Sequence, residues 1–165
     1  VATSLHRQMQ SDMPEELRER LERKLDWAAQ LHEVGAQISH SDYHKHGAYI
    51  IGNSDAPGFA MAELRRLSQL ILGHRGKLRQ LDADLEDVHF VQQLIALRLA
   101  VVLCHARRDP DLKELTLACN PGSERRFVLG VRTGWVEAWP QSAHLLREEV
   151  IAWQKTPWSL QLQQQ

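Results

Sequence analysis

The sequence predicts a mainly α-helical protein that closes with a small α+β part carrying a short antiparallel sheet. Three observations carry this. Apolar residues recur at three- and four-residue spacing through most of 1–108, the period of helices with one buried face. Residues 94–103 are apolar nearly all round, as a central, fully surrounded helix is. Beyond Asp109-Pro110 the pattern turns to short β-like runs separated by turn residues. The boundary falls between 109 and 110, giving a helical domain over 1–109 and a small α+β domain over 110–165.

Val1 to Gln10 forms a short amphipathic helix that begins abruptly, as if its upstream half were missing. Asp12 offers an N-cap to the next helix, with Pro14 in its first turn and Glu15 three residues on. Leu17, Leu21, Leu25 and Ala28 follow at helical spacing, and the helix is expected to run to Val34 and stop at Gly35. A third helix spans His44 to Ile51, entered through Ser41-Asp42 and closed by the turn-forming run Asn53 to Gly58. Met61 to Leu72 is the fourth, broken by Gly73-His74-Arg75-Gly76-Lys77. Asp84 to Arg107 is expected to be the longest and most buried.

In the second part, Leu112 to Ala118 and Arg126 to Val131 read as strands of a hairpin around Asn120-Pro121-Gly122-Ser123. Trp135 to Trp139 is expected as a third strand. A helix follows over Ser142 to Gln154 and a final strand over Trp158 to Leu162. The glutamine tail 163–165 is expected to be disordered.

Composition narrows the function. With 43% hydrophobic and 25% charged residues, the chain is neither a disordered tail nor a fibre. Twenty basic against 21 acidic residues leave a formal charge of −1, which argues against a histone-like or specific nucleic-acid binder. Cys104 and Cys119 have no metal-ligand spacing and fit a reducing cytoplasm. No stretch reaches the length of a membrane span. The chain starts at Val1 without an initiator Met and is expected to be part of something longer.

The anomaly is histidine: nine in all. His32-Glu33, then His40, His44 and His46, then His74 fall within one stretch. Three chemistries compete. A metalloprotease helix needs a second His at position 36, which is Ala36. An HD-type phosphohydrolase needs a His-Asp doublet, an earlier His and a late Asp to hold metal. His32-Glu33 occupies the doublet as a degenerate version, His6 is the only earlier candidate, and Arg98 stands near where the late Asp belongs. A polyanion surface needs cations and donors in polar turns. His40, His44, Lys45, His46, His74, Arg75, Lys77 and Arg79 supply them, beside a helix start with open N–H groups. From Arg65 to Arg79 there is no acidic residue, while Asp82, Asp84, Glu86 and Asp87 supply acid just beyond. The near-neutral total therefore hides a positive segment. Arg65 and Arg66 extend it or form a solvated face. Arg125, Arg126 and Arg132 are candidates for a more distant segment.

At these residues the chain resembles a known family. The resemblance rests on His32-Glu33-Val34-Gly35, His40-Ser41, the run from His44 to Ile51, Asn53-Ser54-Asp55 with Pro57-Gly58-Phe59, Gly73-His74-Arg75 and Arg98-Leu99-Ala100. Together these are similar to the C-terminal region of bacterial exopolyphosphatases and guanosine pentaphosphate phosphohydrolases. The resemblance implies an HD-like helical bundle that has lost its metal site, followed by a small α+β domain. It implies two further N-terminal actin-like domains in the parent enzyme, where phosphoanhydride hydrolysis uses a divalent metal such as magnesium. For this region itself it implies no cofactor, no catalytic residue, a part in gripping inorganic polyphosphate and a part in forming a homodimer. A phosphate chain resembles a nucleic-acid backbone without bases, so binding is expected to weaken steeply with salt.

Overall fold

The computed structural model describes residues 1–165 apart from Ser11, Asp12, Asp82, Asp84 and Ser123, and apart from the side chain of Gln80. The expected cap at Asp12, the acids at Asp82 and Asp84 and the hairpin residue Ser123 therefore lie outside the described residues. The described elements are α1 (Ala2–Gln8), α2 (Glu15–Leu31), α3 (Tyr43–Gly52), α4 (Met61–Gly73), α5 (Val88–Leu103), β1 (Leu115–Asn120), β2 (Arg126–Val131), α6 (Trp135–Ala138), α7 (Pro140–Trp153) and β3 (Ser159–Gln164). Short 3-10 turns occupy Val34–Gln37, Leu78–Gln80 and Leu112–Glu114.

α5 is the hub. Asp87 caps it by accepting from the Phe90 amide at 3.1 Å, and every residue from Phe90 to Ala100 is buried. Leu94, Ile95, Leu97 and Leu99 pack into one apolar cluster with Leu5 of α1, Leu25 of α2, Leu67 and Leu70 of α4, and Phe127, Trp153 and Leu160 from beyond residue 109. The residues on both sides of 109 thus share one core. Phe127 is sandwiched in it, stacked on Trp158 at 4.9 Å and edge-on to Trp153 at 5.6 Å, a geometry that adds to plain area burial. Trp27 is only half-buried, packed on Phe59 at 4.8 Å.

α2 ends three residues earlier than its apolar spacing suggests, at Leu31. The His32 ring folds back so that Nδ1 donates to the Ala29 carbonyl at 2.6 Å, closing the helix. The 3-10 turn that follows brings Gly35 against α3. A Cβ there would stand 1.9 Å from the Tyr43 carbonyl oxygen and 2.4 Å from the Gly47 amide, so only glycine allows the two segments to meet.

Four expectations are corrected. Trp135–Trp139 is not a strand: Gly134 at φ 86° turns the chain into a single helical turn that buries Trp135 in the core. Short apolar runs do not distinguish the two states by themselves. The sheet is mixed, ordered β1-β2-β3, with β1 antiparallel and β3 parallel to β2. α6 and α7 carry the chain from β2 back to the start of β3, the crossover a parallel pair requires. The glutamine tail is ordered: Gln165 donates its amide to the Val131 carbonyl at 2.9 Å and accepts from the Thr133 amide at 2.9 Å. Backbone pairing asks nothing of the side chains. Finally, α5, at 16 residues, is shorter than α2 at 17, because the chain beyond Leu103 breaks into turns, with Arg107 at φ 56°.

Candidate functional site

The segments 43–46 and 73–77 meet because α3 and α4 pack side by side. Between them lies a cleft of about 250 Å³ lined by His44, Lys45, Gly73, Arg75 and Lys77 over Leu72 and Leu81. Four of the eight residues singled out from sequence therefore line one concavity; three of the four are cations, and no carboxylate is among the lining residues. The other four lie elsewhere. His40 is exposed in the turn before α3, His46 is half-buried on α3, and Arg79 is exposed in the 3-10 turn at 78–80. His74 is buried at 2% exposure; it lies beneath the cleft, not in a polar turn.

His74 is the keystone under the site. Its Nδ1 donates to the Ile71 carbonyl at 2.5 Å, which leaves Nε2 as acceptor for the Tyr43 hydroxyl at 3.4 Å. The rings of His32, Tyr43 and His44 surround it at 5.1, 5.5 and 6.3 Å. Burial lowers its pKa to about 3, so it is neutral at physiological pH. His44 is lowered as well, first by burial and then by the neighbouring Arg75. Its Nδ1 is buried without a partner. The cleft therefore sets an imidazole biased toward its neutral form beside three cationic side chains.

Two local contacts set those cations. The Arg75 guanidinium lies 4.8 Å over the Tyr43 ring, a cation–π arrangement. Lys45 pairs with Asp42 at 3.0 Å, and this lysine holds the Asp42 carboxyl below its ordinary range. Asp42 makes no side-chain cap to α3, so the first turn of a ten-residue helix opens beside the cleft.

The remaining candidates lie outside the cleft. Arg66 donates to Asp87 at 2.7 Å and to Gln93 at 2.8 Å; Arg65 is exposed on α4. Arg125, Arg126 and Arg132 pair with Glu86, Glu124 and Glu114. His32 and Glu33 line a separate hollow of about 650 Å³ with Tyr43, Leu97, Cys104 and His105. Among the described residues no group of three or more His, Cys, Asp or Glu is placed to hold a metal ion. His6 of α1 is fully buried, its Nε2 3.4 Å from the side-chain amide of Gln10 just past the helix end. No helix among the described residues is long and apolar enough to cross a membrane.

Sequence reasoning missed Glu149. It reaches from α7 to accept from Nε and Nη2 of Arg98, the second at 2.9 Å, and from the Trp153 indole N–H at 2.9 Å. Arg98 also donates to the carbonyls of Gly73 at 2.6 Å and Gly76 at 3.3 Å. A charge in the middle of an apolar helix is itself the signal, because a buried guanidinium needs a partner.

Fold and site together define a helical domain with a small mixed sheet and a cationic surface cleft suited to anions. Residues 1–150 match the family described as Ppx/GppA phosphatase, domain III. The chain belongs to that family. It is 34% identical over 137 residues to a guanosine-5'-triphosphate,3'-diphosphate pyrophosphatase of Pseudoalteromonas translucida, covering 80% of this chain and 27% of that protein. It is 32% identical over 142 residues to proteins of the same name from Aeromonas hydrophila and Aeromonas salmonicida, covering 84% of this chain and 28% of each. The chain thus spans about a quarter of the length of these relatives.

Proposed function

We propose that this chain is the polyanion-gripping, dimer-forming region of an exopolyphosphatase, an enzyme that releases terminal phosphate from inorganic polyphosphate. Hydrolysis belongs to actin-like domains elsewhere in the whole enzyme, with their own divalent metal such as magnesium. The observation that carries the reading is the cleft itself, where Lys45, Arg75 and Lys77 converge with His44 and no carboxylate lines the wall. Phosphate oxygens are held there by charge from the three cations, by hydrogen bonds from His44 and by the open first turn of α3. His40, His46 and Arg79 extend the track over the neighbouring surface, and His74 supports it from beneath. Contacts of this kind are similar to one another along a repeating chain, so the chain slides without full release.

A second reading is favoured by the relatives' printed name: the phosphate-rich ligand is guanosine 5'-triphosphate 3'-diphosphate, and the same cleft takes its phosphate groups. Titration of the chain with long-chain polyphosphate and with that nucleotide, each at two salt concentrations, separates the readings. The exopolyphosphatase reading expects tight polyphosphate binding that falls steeply with salt. Lys45→Ala and Arg75→Ala should each flatten the log–log salt dependence by about 0.7, the value for one phosphate contact on a single strand. Tight binding of the nucleotide with weak, salt-insensitive binding of polyphosphate would select the second reading. Sedimentation of the chain over a concentration series tests the dimer.

A further inference from the structure

We propose that Arg98 and Glu149 are positioning residues for the cleft: the α7 carboxylate locks a buried guanidinium whose remaining N–H groups hold the 73–76 turn in place. This rests on the cleft reading above for its functional consequence, but the mechanical link stands on geometry alone.

Arg98 and Glu149 have side chains only 5% and 7% exposed. Arg98 uses its fork on Glu149, with Nη2 to Oε2 at 2.9 Å. It then spends Nη1 on the Gly73 carbonyl at 2.6 Å and shares Nη1 and Nη2 with the Gly76 carbonyl at 3.3 Å. Glu149 is fixed in turn by the Trp153 indole at 2.9 Å, and Trp153 is fully buried against Phe127. The chain of contacts therefore runs from the sheet through α7 and α5 to the turn that presents Arg75 and Lys77.

That turn needs holding. Gly76 sits at φ 77°, and a Cβ there would approach His44 Nε2 at 3.3 Å, so turn and cleft wall are in near contact. Arg75, Gly76 and Lys77 are all exposed and bury nothing of their own. Buried His74 and Leu78 flank them and Arg75 rests on Tyr43; between those anchors, the pair of carbonyls that Arg98 holds ties their backbone to the core. A lysine in place of Arg98 keeps the charge but cannot serve a carboxylate fork and two carbonyls at once.

The test uses the full chain as Glu149→Gln and Arg98→Lys, with the double variant Arg98→Met/Glu149→Leu as a fold-preserving alternative that buries no unpaired charge. Two readouts are taken well below the melting temperature: amide hydrogen exchange, and binding of long-chain inorganic polyphosphate. The expected result is exchange at 74–77 about tenfold faster, with α5 amides unchanged, and polyphosphate binding weakened about fivefold to tenfold in every folded variant, in line with losing charge-assisted hydrogen bonds. Arg98→Lys is decisive, because a purely electrostatic contribution would leave its affinity at the wild-type level. Unchanged exchange at 74–77, or unchanged affinity in a folded variant, overturns the proposal. If wild type fails to bind polyphosphate while 74–77 still loosens in the variants, the cleft reading falls and the positioning link stands.

Discussion

The Arg75 guanidinium lies 4.8 Å above the ring of Tyr43, and that one contact ties the exposed end of the 73–77 turn to the start of α3. It holds the long, flexible side chain of an exposed cation against a fixed aromatic ring. A cation–π contact at an exposed site contributes about 0.5–1 kcal/mol. Tyr43→Ala should therefore weaken polyphosphate binding about two- to fivefold. Tyr43→Phe should retain it, since the ring and not the hydroxyl carries the contact. Equal losses in the two variants, measured by titration, would assign the effect to the hydroxyl bond with His74 instead.

Asp42 competes with any anion for Lys45, at 3.0 Å. The pair is exposed, so its own contribution to stability is small. Asp42→Asn should release Lys45, leave the melting temperature within a degree or two, and tighten polyphosphate binding about two- to threefold at low salt. The gain should vanish at high salt. A gain that survives high salt would sink this account.

Acid should destabilise the fold through buried histidines. Burial lowers His6 to about 4 and His74 to about 3, from 6.5 for a free histidine. Between pH 6.5 and those values the unfolded chain binds more protons than the folded one, so stability rises with pH across that window and is lost as pH falls. Each histidine contributes a slope of about 1.4 kcal/mol per pH unit there. Urea unfolding at stepwise pH should show the slope above the carboxylate range, and His74→Gln should reduce it. A flat profile from pH 6.5 to 4.5 would contradict the burial of these rings.

Gly35 should tolerate no side chain. The Cβ of an alanine would sit 1.9 Å from the Tyr43 carbonyl and 2.4 Å from the Gly47 amide, both backbone atoms that cannot rotate away. Gly35→Ala should cost at least about 2 kcal/mol, in the upper range of overpacking, and should displace the start of α3. Circular dichroism melts test the first expectation and loss of polyphosphate binding the second. Gly130→Ala serves as contrast. Its nearest neighbours are the movable side chains of Gln165 and Thr116 at 2.3 Å, so the smaller loss belongs there.

The helices α2 to α5 were legible because 3.6-residue apolar spacing survives in the sequence wherever one face is buried. The cleft was legible in part: Lys45, Arg75 and Lys77 announce themselves as cations in turns. His74 did not, because a histidine after a glycine reads the same whether it faces water or packs under a site. The direction of β3 was likewise invisible, since it depends on where α7 returns the chain, and so was the helical turn at Trp135, because a short apolar run does not distinguish strand from helix.

By itself the sequence determined the order of the helices up to α5 and of the β1–β2 hairpin, the position of the buried central helix and the basic segment without acids between Arg65 and Arg79. Periodicity and charge are local properties, written residue by residue. Only the tertiary structure decided which cations converge, which are consumed by carboxylates such as Glu86 and Glu114, and that Arg98 meets Glu149 across 51 residues of chain. Those outcomes depend on distances between segments far apart in sequence. Desolvation then makes the pairing obligatory, because a guanidinium buried beside α7 has no water to turn to.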